Sequence, residues 1–500
     1  MPRREKVKQT GAHDEGASQQ DAVVSASLDA EVDGPEADLL GWYQTAASVA
    51  KYIVTEATTP LTLGIQGNWG SGKTSFIKLI IRGFADMQKS GKDEQHIYHD
   101  TSVEGADYEL RYYKCLKTGD NIAHIYVMSF NCWLYAQGDY DVDEIFLLYV
   151  SRTLSTHPQL KPIINAPQGL RDTAKNVTRA IVPGILKSIT KKLTGDDEDA
   201  EEYGQTVSDA TTALLGGTPP DKLMSELSKL KKKFSEVVAA LLKCKGTADN
   251  NRLVIVIDDL DRVEPVKAVE TIEKLKVFLD VPGVVFFIAA DLGVIEHGLV
   301  QKFNKEGGTY YGKNYLDKIV QIRYQLPLLQ PSQTLAIMKE HDKFVEAVGL
   351  SGDPSDQQAF NTEAFKLIWY LPGIGTNIRT IHRVLLNFEF IWSLTKSAGR
   401  AVGTSEAICL LALLVMDQYS RQLVELFYTW NTLGQASINL TLEAGKLFPN
   451  AQKEMERFLR LIQDMGYKVE DWQKAFAYAT PITGISGFIK GESGASVKVI

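Results

Sequence analysis

A glycine-rich segment that ends in lysine and threonine is the clearest chemical signal in the chain. It matches the pattern G-x-x-x-x-G-K-S/T, follows the apolar run Leu61–Gln66 and precedes a helical stretch, Ser75–Met87. Backbone N–H groups of such a loop converge on phosphate oxygens, and the helix N-terminus favours negative charge. We therefore predict a nucleotide site at Gly67, Asn68, Trp69, Gly70, Ser71, Gly72, Lys73, Thr74 and Ser75. An ordinary glycine-rich turn with an exposed lysine is the alternative.

The phosphate loop also predicts roles for two of its side chains. Lys73 is expected to pair with the β- and γ-phosphates of ATP as a catalytic positive charge, and the Thr74 hydroxyl is expected to ligate Mg²⁺.

A second group of polar residues follows the apolar run Leu253–Asp258, which ends in closely spaced carboxylates. In a nucleotide site, Asp258 is predicted to hold Mg²⁺, and Asp259 to orient or deprotonate the attacking water. A carboxylate after a strand can instead cap the next helix, and Asp261 is expected to do this in part. Asp291, which follows the run Val284–Ala289, has two equal interpretations: a sensor of the γ-phosphate, or the N-cap of the helix that begins at Leu292.

The elements that must position these groups are short, nearly continuous apolar runs separated by helical stretches. This pattern is typical of strands buried on both faces of a parallel sheet, and it predicts an α/β fold with five parallel strands. The order of the runs resembles that of additional-strand P-loop ATPases. The runs are Leu61–Gln66, Ile125–Phe130, Leu253–Asp258, Val284–Ala289 and Ile319–Gln325.

Composition predicts the domain boundaries. Residues 1–37 are polar and predicted to be a disordered tail. A P-loop NTPase domain is expected at 38–330 with an insertion at about 135–250, an all-α subdomain at 331–482 and a flexible tail at 483–500. Within the insertion, apolar residues recur at helical spacing from Leu223 to Leu241. Either a solvated helix packs there on the sheet, or a basic or coiled-coil arm contacts a partner.

Bulk properties narrow the function classes. A net charge of −8 over 500 residues argues against general coating of nucleic acid, although a local basic patch is compatible with it. The four cysteines form no C-x-x-C pair, which fits a reducing compartment. Neither a membrane-spanning run nor the apolar core of a signal peptide is visible, so we expect a cytoplasmic protein without membrane attachment.

Further motifs resemble the KAP family of P-loop NTPases over about residues 40–400. Phe130-Asn131-Cys132-Trp133 is similar to the family's F-N-x-W signature, and the segment from Asn377 to Asn387 is similar to its N-x-R…R…N helix. The resemblance implies a Mg²⁺-dependent ATPase of the soluble bacterial type, similar to ATPase components of antiphage defence systems such as the Qat system. It also implies that Arg379 or Arg383 reaches the nucleotide as a catalytic arginine; a structural ion pair is the alternative for each.

Three functions follow from this reading. The first is an ATP-hydrolysing subunit that drives or regulates a defence complex, with partners from the same operon or in a homo-oligomer. The second is a nucleotide-gated binding module whose slow hydrolysis resets a partner interaction. The third is a DNA-acting motor, against which the negative charge and the lack of helicase motifs argue.

Overall fold

The computed structural model describes most of the chain from residue 35 onward. The described ranges are 35–87, 96–100, 108–116, 122–135, 142–167, 169–173, 220–245, 250–275, 278–303, 317–341, 344, 346, 354–371, 373–400, 402–433, 439–483, 488–490 and 496–498. The predicted disordered tail at 1–37 lies almost wholly outside these residues, as does the middle of the predicted insertion.

The first elements form a strand–loop–helix unit with a helix packed on it. Helix α1 (Tyr43–Thr55) precedes strand β1 (Leu61–Gln66), and helix α2 (Lys73–Asp86) follows the phosphate loop. The two helices approach closely at Gly83, where a Cβ atom would lie 2.9 Å from the Ala50 side chain. Apolar residues of both helices are buried against one face of the sheet.

The central sheet has seven strands, so the predicted count of five was wrong. The further strands are β2 (His96–Asp100), β3 (Tyr108–Leu116), β4 (Ile122–Asn131), β5 (Arg252–Asp258), β6 (Val284–Ala290) and β7 (Ile322–Gln325), in the spatial order β2-β3-β4-β5-β6-β1-β7. The five predicted runs lie in or overlap the parallel strands β1, β4, β5, β6 and β7.

The two unpredicted strands, β2 and β3, pair antiparallel at one edge. Strand β3 escaped the prediction because its apolar run is interrupted: Glu109, Arg111 and Lys114 alternate with buried residues such as Leu110 and Cys115. A strand at the margin of a sheet can leave polar side chains at the surface, so it lacks the continuous apolar pattern of a central parallel strand.

Strand β6 lies between β1, which leads into the phosphate loop, and β5, which ends in the acidic residues. The register aligns Gln66 with Ala290, and Asn131 with Asp258, so all these strands end at one edge of the sheet. Side chains that follow parallel strands at their carboxyl ends therefore meet there, where α/β folds bind ligands.

Helices cover the other face of the sheet: α3 (Cys132–Tyr135), α4 (Val142–Ser155), α5 (Lys161–Ile164), α6 (Pro220–Lys243), α7 (Pro265–Leu275) and α8 (Leu292–Phe303). Leu230, Phe234 and Leu241 of α6 are buried in the same cluster as β5 and β6. Helix α6 thus packs its apolar face on the sheet, which is the first of the two alternatives given for this segment.

Residues after Gln330 fold around a second apolar cluster. It is built by α9 (Pro331–Lys339), α10 (Pro354–Tyr370), α11 (Ile378–Ser397), α12 (Thr404–Tyr419), α13 (Arg421–Leu433), α14 (Leu440–Leu447), α15 (Gln452–Asp464) and α16 (Val469–Thr483). Helix α12 is central, because every residue from Glu406 to Met416 is buried. In the part of the chain that the structure describes, no helix has the length and apolar character needed to cross a bilayer.

The structure describes part of the predicted flexible tail at 483–500, and its flexibility stays a prediction. Thr483 is the last residue of α16, and the strands β8 (Phe488–Lys490) and β9 (Ser496–Lys498) pair antiparallel.

Candidate nucleotide-binding site

The phosphate loop is compact at its glycines. Gly70 and Gly72 have φ of +79° and +91°, a region that residues with a Cβ atom rarely adopt. A Cβ atom on Gly67 would lie 2.4 Å from Ser71 Oγ, and that hydroxyl is buried without a hydrogen-bond partner among the described residues. The loop therefore has a backbone that only glycine allows and a hydroxyl available to a ligand, which fits a phosphate cradle.

Lys73, the first residue of α2, is folded back into the loop. Its Nζ donates a hydrogen bond to Gly67 O at 2.9 Å and forms an ion pair with Asp261 Oδ2, also at 2.9 Å. Both side chains are less than one tenth exposed, so the pair is well shielded from water. Asp261 Oδ2 also accepts the N–H of Asp291.

This pairing was missed from the sequence, which gave Asp261 only a part in capping the next helix. The carboxylate instead neutralises the lysine of the phosphate loop and fixes the turn after β6. The signal that could have shown the Lys73–Asp261 pair is a spacing: Asp261 comes three residues after Asp258 and lies in a turn of 3₁₀-helix (Leu260–Arg262).

The two predicted Mg²⁺ ligands face each other. Thr74 Oγ1 donates a hydrogen bond of 2.8 Å to Asp258 Oδ2, and the N–H of Asp259 binds Asp258 Oδ1. Hydroxyl and carboxylate oxygens suit Mg²⁺, which commonly takes one or two protein ligands and completes its shell with phosphates and water. Among the described residues, no group of three or more acidic, histidine or cysteine side chains is arranged to hold a metal alone. The residues therefore fit Mg²⁺ that arrives with the nucleotide.

Burial raises the pKa of Asp258 to about 6, and the negative charge of Asp259 adds to the effect, whereas the Thr74 hydrogen bond opposes it. The folded protein thus binds more protons than the unfolded chain between about pH 4 and pH 6. Without metal and nucleotide, this carboxyl makes the fold less stable as the pH rises through that window.

We expect Asp258→Asn to stabilise the metal-free protein at neutral pH, because the amide keeps the shape of the side chain without its charge. Relative to wild type, the gain should grow by about 2–3 kcal/mol between about pH 3.5 and pH 7.5, the range across which first the unfolded and then the folded carboxyl ionises. Thermal unfolding in EDTA at the two pH values measures it, with the exposed Asp464→Asn as control. A difference that does not change with pH would contradict the role of this charge.

Asp259 has an unusual backbone and a fully engaged side chain. Its φ of +56° lies in the left-handed region, which residues other than glycine adopt rarely and aspartate more readily than most. Asn131 Nδ2 donates to Asp259 Oδ2 at 2.8 Å, and Arg262 Nε forms an ion pair with Oδ1 at 2.7 Å. The carboxylate lies at the edge of the site beside Asp258, and its water-orienting role stays a prediction.

The Asp291 side chain adopts the capping arrangement. Its Oδ1 accepts the N–H of Gly293 at 3.0 Å, in the first turn of α8. Its backbone N–H binds Asp261, so the turn is linked to Lys73 through that carboxylate. The sensor role stays a prediction.

The N-terminus of α11 contacts the phosphate loop directly. Asn377 Nδ2 donates to Trp69 O at 2.7 Å, and the Arg379 N–H approaches Gly70 O at 3.5 Å. The Arg379 guanidinium lies 5.2 Å from the centre of the Trp69 ring. Arg383, one turn later, is exposed, and no described residue of the loop forms a hydrogen bond or ion pair with it. The structure thus brings Arg379, and not Arg383, to the loop.

Gly70→Ala tests this contact. A Cβ atom would lie 2.8 Å from Arg379 Cβ and 2.9 Å from Asn377 Oδ1, so the loop and α11 must separate. We expect the variant to lose most of the rise in melting temperature that Mg·ATP gives the wild type. Gly399→Ala is a matched control, because Gly399 also has positive φ (+67°) but nothing within 4 Å of the added atom. Equal ATP-induced shifts in the two variants would contradict a functional contact.

Comparison with known proteins agrees with this geometry. The model of the KAP family P-loop domain matches residues 43–395. The phage T7 exclusion protein of Escherichia coli (strain K12) is 23% identical over 313 residues, which are 60% of this chain but 34% of the relative. The chain therefore spans about a third of that relative's length.

Among solved structures, the ORC2 protein of Aeropyrum pernix (ADPNP–ADP complexes) aligns over 95% of this chain and 92% of its own, with 10% identity. Its TM-score of 0.30 is too low to support a conclusion about this chain. The family match covers more than half of the sequence and includes the phosphate loop, the acidic residues and Arg379. The chain belongs to the KAP family of P-loop NTPases.

Proposed function

We propose that this protein binds Mg·ATP at the sheet edge, hydrolyses it, and thereby drives or regulates a larger complex in antiphage defence. The observation that supports hydrolysis best is the placement of Asp259 beside the Thr74–Asp258 pair and the buried Lys73. A phosphate-binding lysine, a metal-binding pair and a separate carboxylate are the parts that phosphoryl transfer to water requires.

Each side chain has one role in this proposal. Lys73 exchanges Asp261 for the β- and γ-phosphates, and the glycines of the loop present N–H groups to their oxygens. Mg²⁺, held by Thr74 and Asp258, would neutralise developing charge on the phosphates. Asp259 orients a water molecule in line with the bond between the γ-phosphorus and the bridging oxygen and accepts its proton as that bond breaks.

Helix α11 would report the nucleotide state to the helical residues after Gln330. Arg379 carries a fixed charge with forked donors, and its guanidinium lies over the Trp69 ring, beside the loop that would hold the γ-phosphate. Arg383, being exposed, suits a nucleotide in a neighbouring subunit of a homo-oligomer or of a complex with other proteins. We propose that Asp291 senses the bound nucleotide through Asp261, which accepts the backbone N–H of Asp291.

Arg379→Ala is expected to lower turnover about tenfold or more without unfolding the chain, because one transition-state charge is lost. The exposed Arg460→Ala is the control. Plotting specific activity against protein concentration, from nanomolar to micromolar, then decides where the arginine acts. A rise with concentration, lost in Arg383→Ala, indicates action across subunits. A flat profile with a monomeric mass leaves only Arg379 within the chain.

The defence role is supported by the named activity of the relative, a phage exclusion protein, at 23% identity. Because that relative is about three times longer than the matched region, we propose that other proteins of the same operon complete the system, as in the Qat system. The proposal places the protein in the cytoplasm. Plating phage on cells that carry the whole operon tests it: Asp259→Asn should abolish protection, and unchanged protection would contradict it.

A second candidate is a nucleotide-gated binding module with slow hydrolysis. The observation that favours it is that the Asp259 carboxylate has both oxygens engaged. Turnover per bound ATP distinguishes the two: product release within seconds to minutes supports a driving ATPase, and bound ATP that persists for hours supports the module. No observation favours a DNA motor over these.

A further inference from the structure

Each carboxylate oxygen of Asp259 is in contact with a nitrogen group of a neighbouring side chain. Asn131 Nδ2 donates a hydrogen bond of 2.8 Å to Oδ2, and Arg262 Nε lies 2.7 Å from Oδ1 as an ion pair whose N–H is not directed at that oxygen. Asp259 is 15% exposed and Arg262 27% exposed, so the ion pair is only partly screened by water. A water molecule that binds an oxygen of this carboxylate therefore competes with a nitrogen group already in contact with that oxygen.

The two holding groups are joined through helix α3. Asn131 Oδ1 accepts the N–H of Leu134, so the amide that binds Asp259 also caps this short helix. The Arg262 guanidinium lies 5.2 Å from the ring centre of Trp133, which lies in α3 two residues after Asn131. Attraction between the guanidinium charge and the face of an aromatic ring orients the arginine side chain. Asn131, Arg262 and Trp133 thus restrain one another as well as Asp259.

The backbone at Asp259 shows that its position is imposed by its surroundings. A φ of +56° is uncommon for a residue other than glycine, and such a backbone conformation persists where neighbouring contacts maintain it. The contacts available are those with Asn131 and Arg262, together with the N–H bond from Asp259 to Asp258. Moving Arg262 would both free an oxygen and allow this turn to relax.

From this geometry we propose that Asn131, Arg262 and Trp133 form a latch that holds Asp259 away from water and keeps basal ATP turnover low. The proposal rests on the hydrolytic function proposed above. The three are positioning residues that act through Asp259, and Arg262 is assigned to restraining the base, not to the γ-phosphate. Opening the latch requires only a side-chain movement of Arg262, since Asp259 already lies beside the metal-binding pair.

The test compares steady-state turnover of the full-length protein and its variants with Mg·ATP. We expect Arg262→Gln to raise kcat about threefold, near the middle of the range for losing a partly exposed ion pair, with KM within about twofold of wild type. Arg262→Lys, which keeps the charge near Asp259, should stay closer to wild type. Trp133→Ala should raise kcat less than Arg262→Gln does, and Trp133→Phe should match wild type. Because Trp133 is 42% exposed, its loss should not open the core.

Arg460→Gln, an exposed arginine on α15, is the matched control, and Arg262→Gln combined with Asp259→Asn shows whether the gain depends on the carboxylate. In the double variant the gain should vanish. Binding is measured separately from the ATP-induced shift in melting temperature. Normal binding with unchanged or lowered kcat in Arg262→Gln would overturn the latch and leave the proposed function intact. If the wild type does not bind ATP, both the latch and the proposed function are overturned.

Discussion

Replacing Lys73 by alanine is expected to reduce ATP hydrolysis about a hundredfold or more and to weaken nucleotide binding. The lysine is the positive charge that the phosphate loop provides, and removing one preorganised charge from a phosphoryl-transfer site has an effect of this size. The exposed Lys453→Ala should behave as wild type. Unchanged phosphate release by Lys73→Ala would contradict the assignment of the site.

The same substitution should affect the nucleotide-free protein. Asp261 is 4% exposed, and without Lys73 its charge has no neighbouring cation in the described contacts. Breaking a buried pair from one side costs about 3–5 kcal/mol of unfolding free energy. We therefore expect a lowered melting temperature for Lys73→Ala, which Asp261→Asn in the same chain restores. The double variant should regain stability without regaining hydrolysis, so folding and catalysis are separated.

Asp259→Asn is the second substitution with a large expected effect. It should lower turnover about 10²- to 10⁴-fold, the contribution typical of a positioned general base, while nucleotide affinity changes only several-fold. The reason is that Asp259 contacts Asn131 and Arg262 and lies outside the phosphate loop. Turnover and binding are measured on the same preparation, with Asp464→Asn as control.

Asp261 provides the contrast for this prediction. Because it pairs with Lys73, Asp261→Asn should change stability and nucleotide affinity more than it changes the chemical step. If Asp259→Asn hydrolyses ATP normally and Asp261→Asn does not, the base has been assigned to the wrong carboxylate.

The parts of the fold that could be predicted are those whose chemistry is local in sequence. The loop from Gly67 to Thr74 and the acids after β5 depend on spacing and on adjacent apolar strands, both of which are visible in the chain. Thr74 and Asp258 were expected to share a metal, and they lie within hydrogen-bond distance of each other.

What escaped prediction depends on contacts between distant segments. The pairing of Lys73 with Asp261 spans 188 residues, and the contact of Asn377 with Trp69 spans 308. Residue type alone did not distinguish Arg379 from Arg383, because residues four positions apart on a helix lie on the same face. Only the contact between the N-terminus of the helix and Gly70 separates the two arginines.

The central claim is that Asp259 and Lys73 hydrolyse ATP at this site. Phosphate release in a single turnover, with protein in excess over γ-labelled ATP, tests it most directly because every ATP molecule is bound. The account predicts Mg²⁺-dependent release by the wild type that EDTA abolishes, bound but uncleaved ATP in Asp259→Asn, and weak binding without release in Lys73→Ala. Wild-type protein that binds ATP with Mg²⁺ yet releases no phosphate, or an Asp259→Asn variant that releases it at the wild-type rate, would contradict the claim.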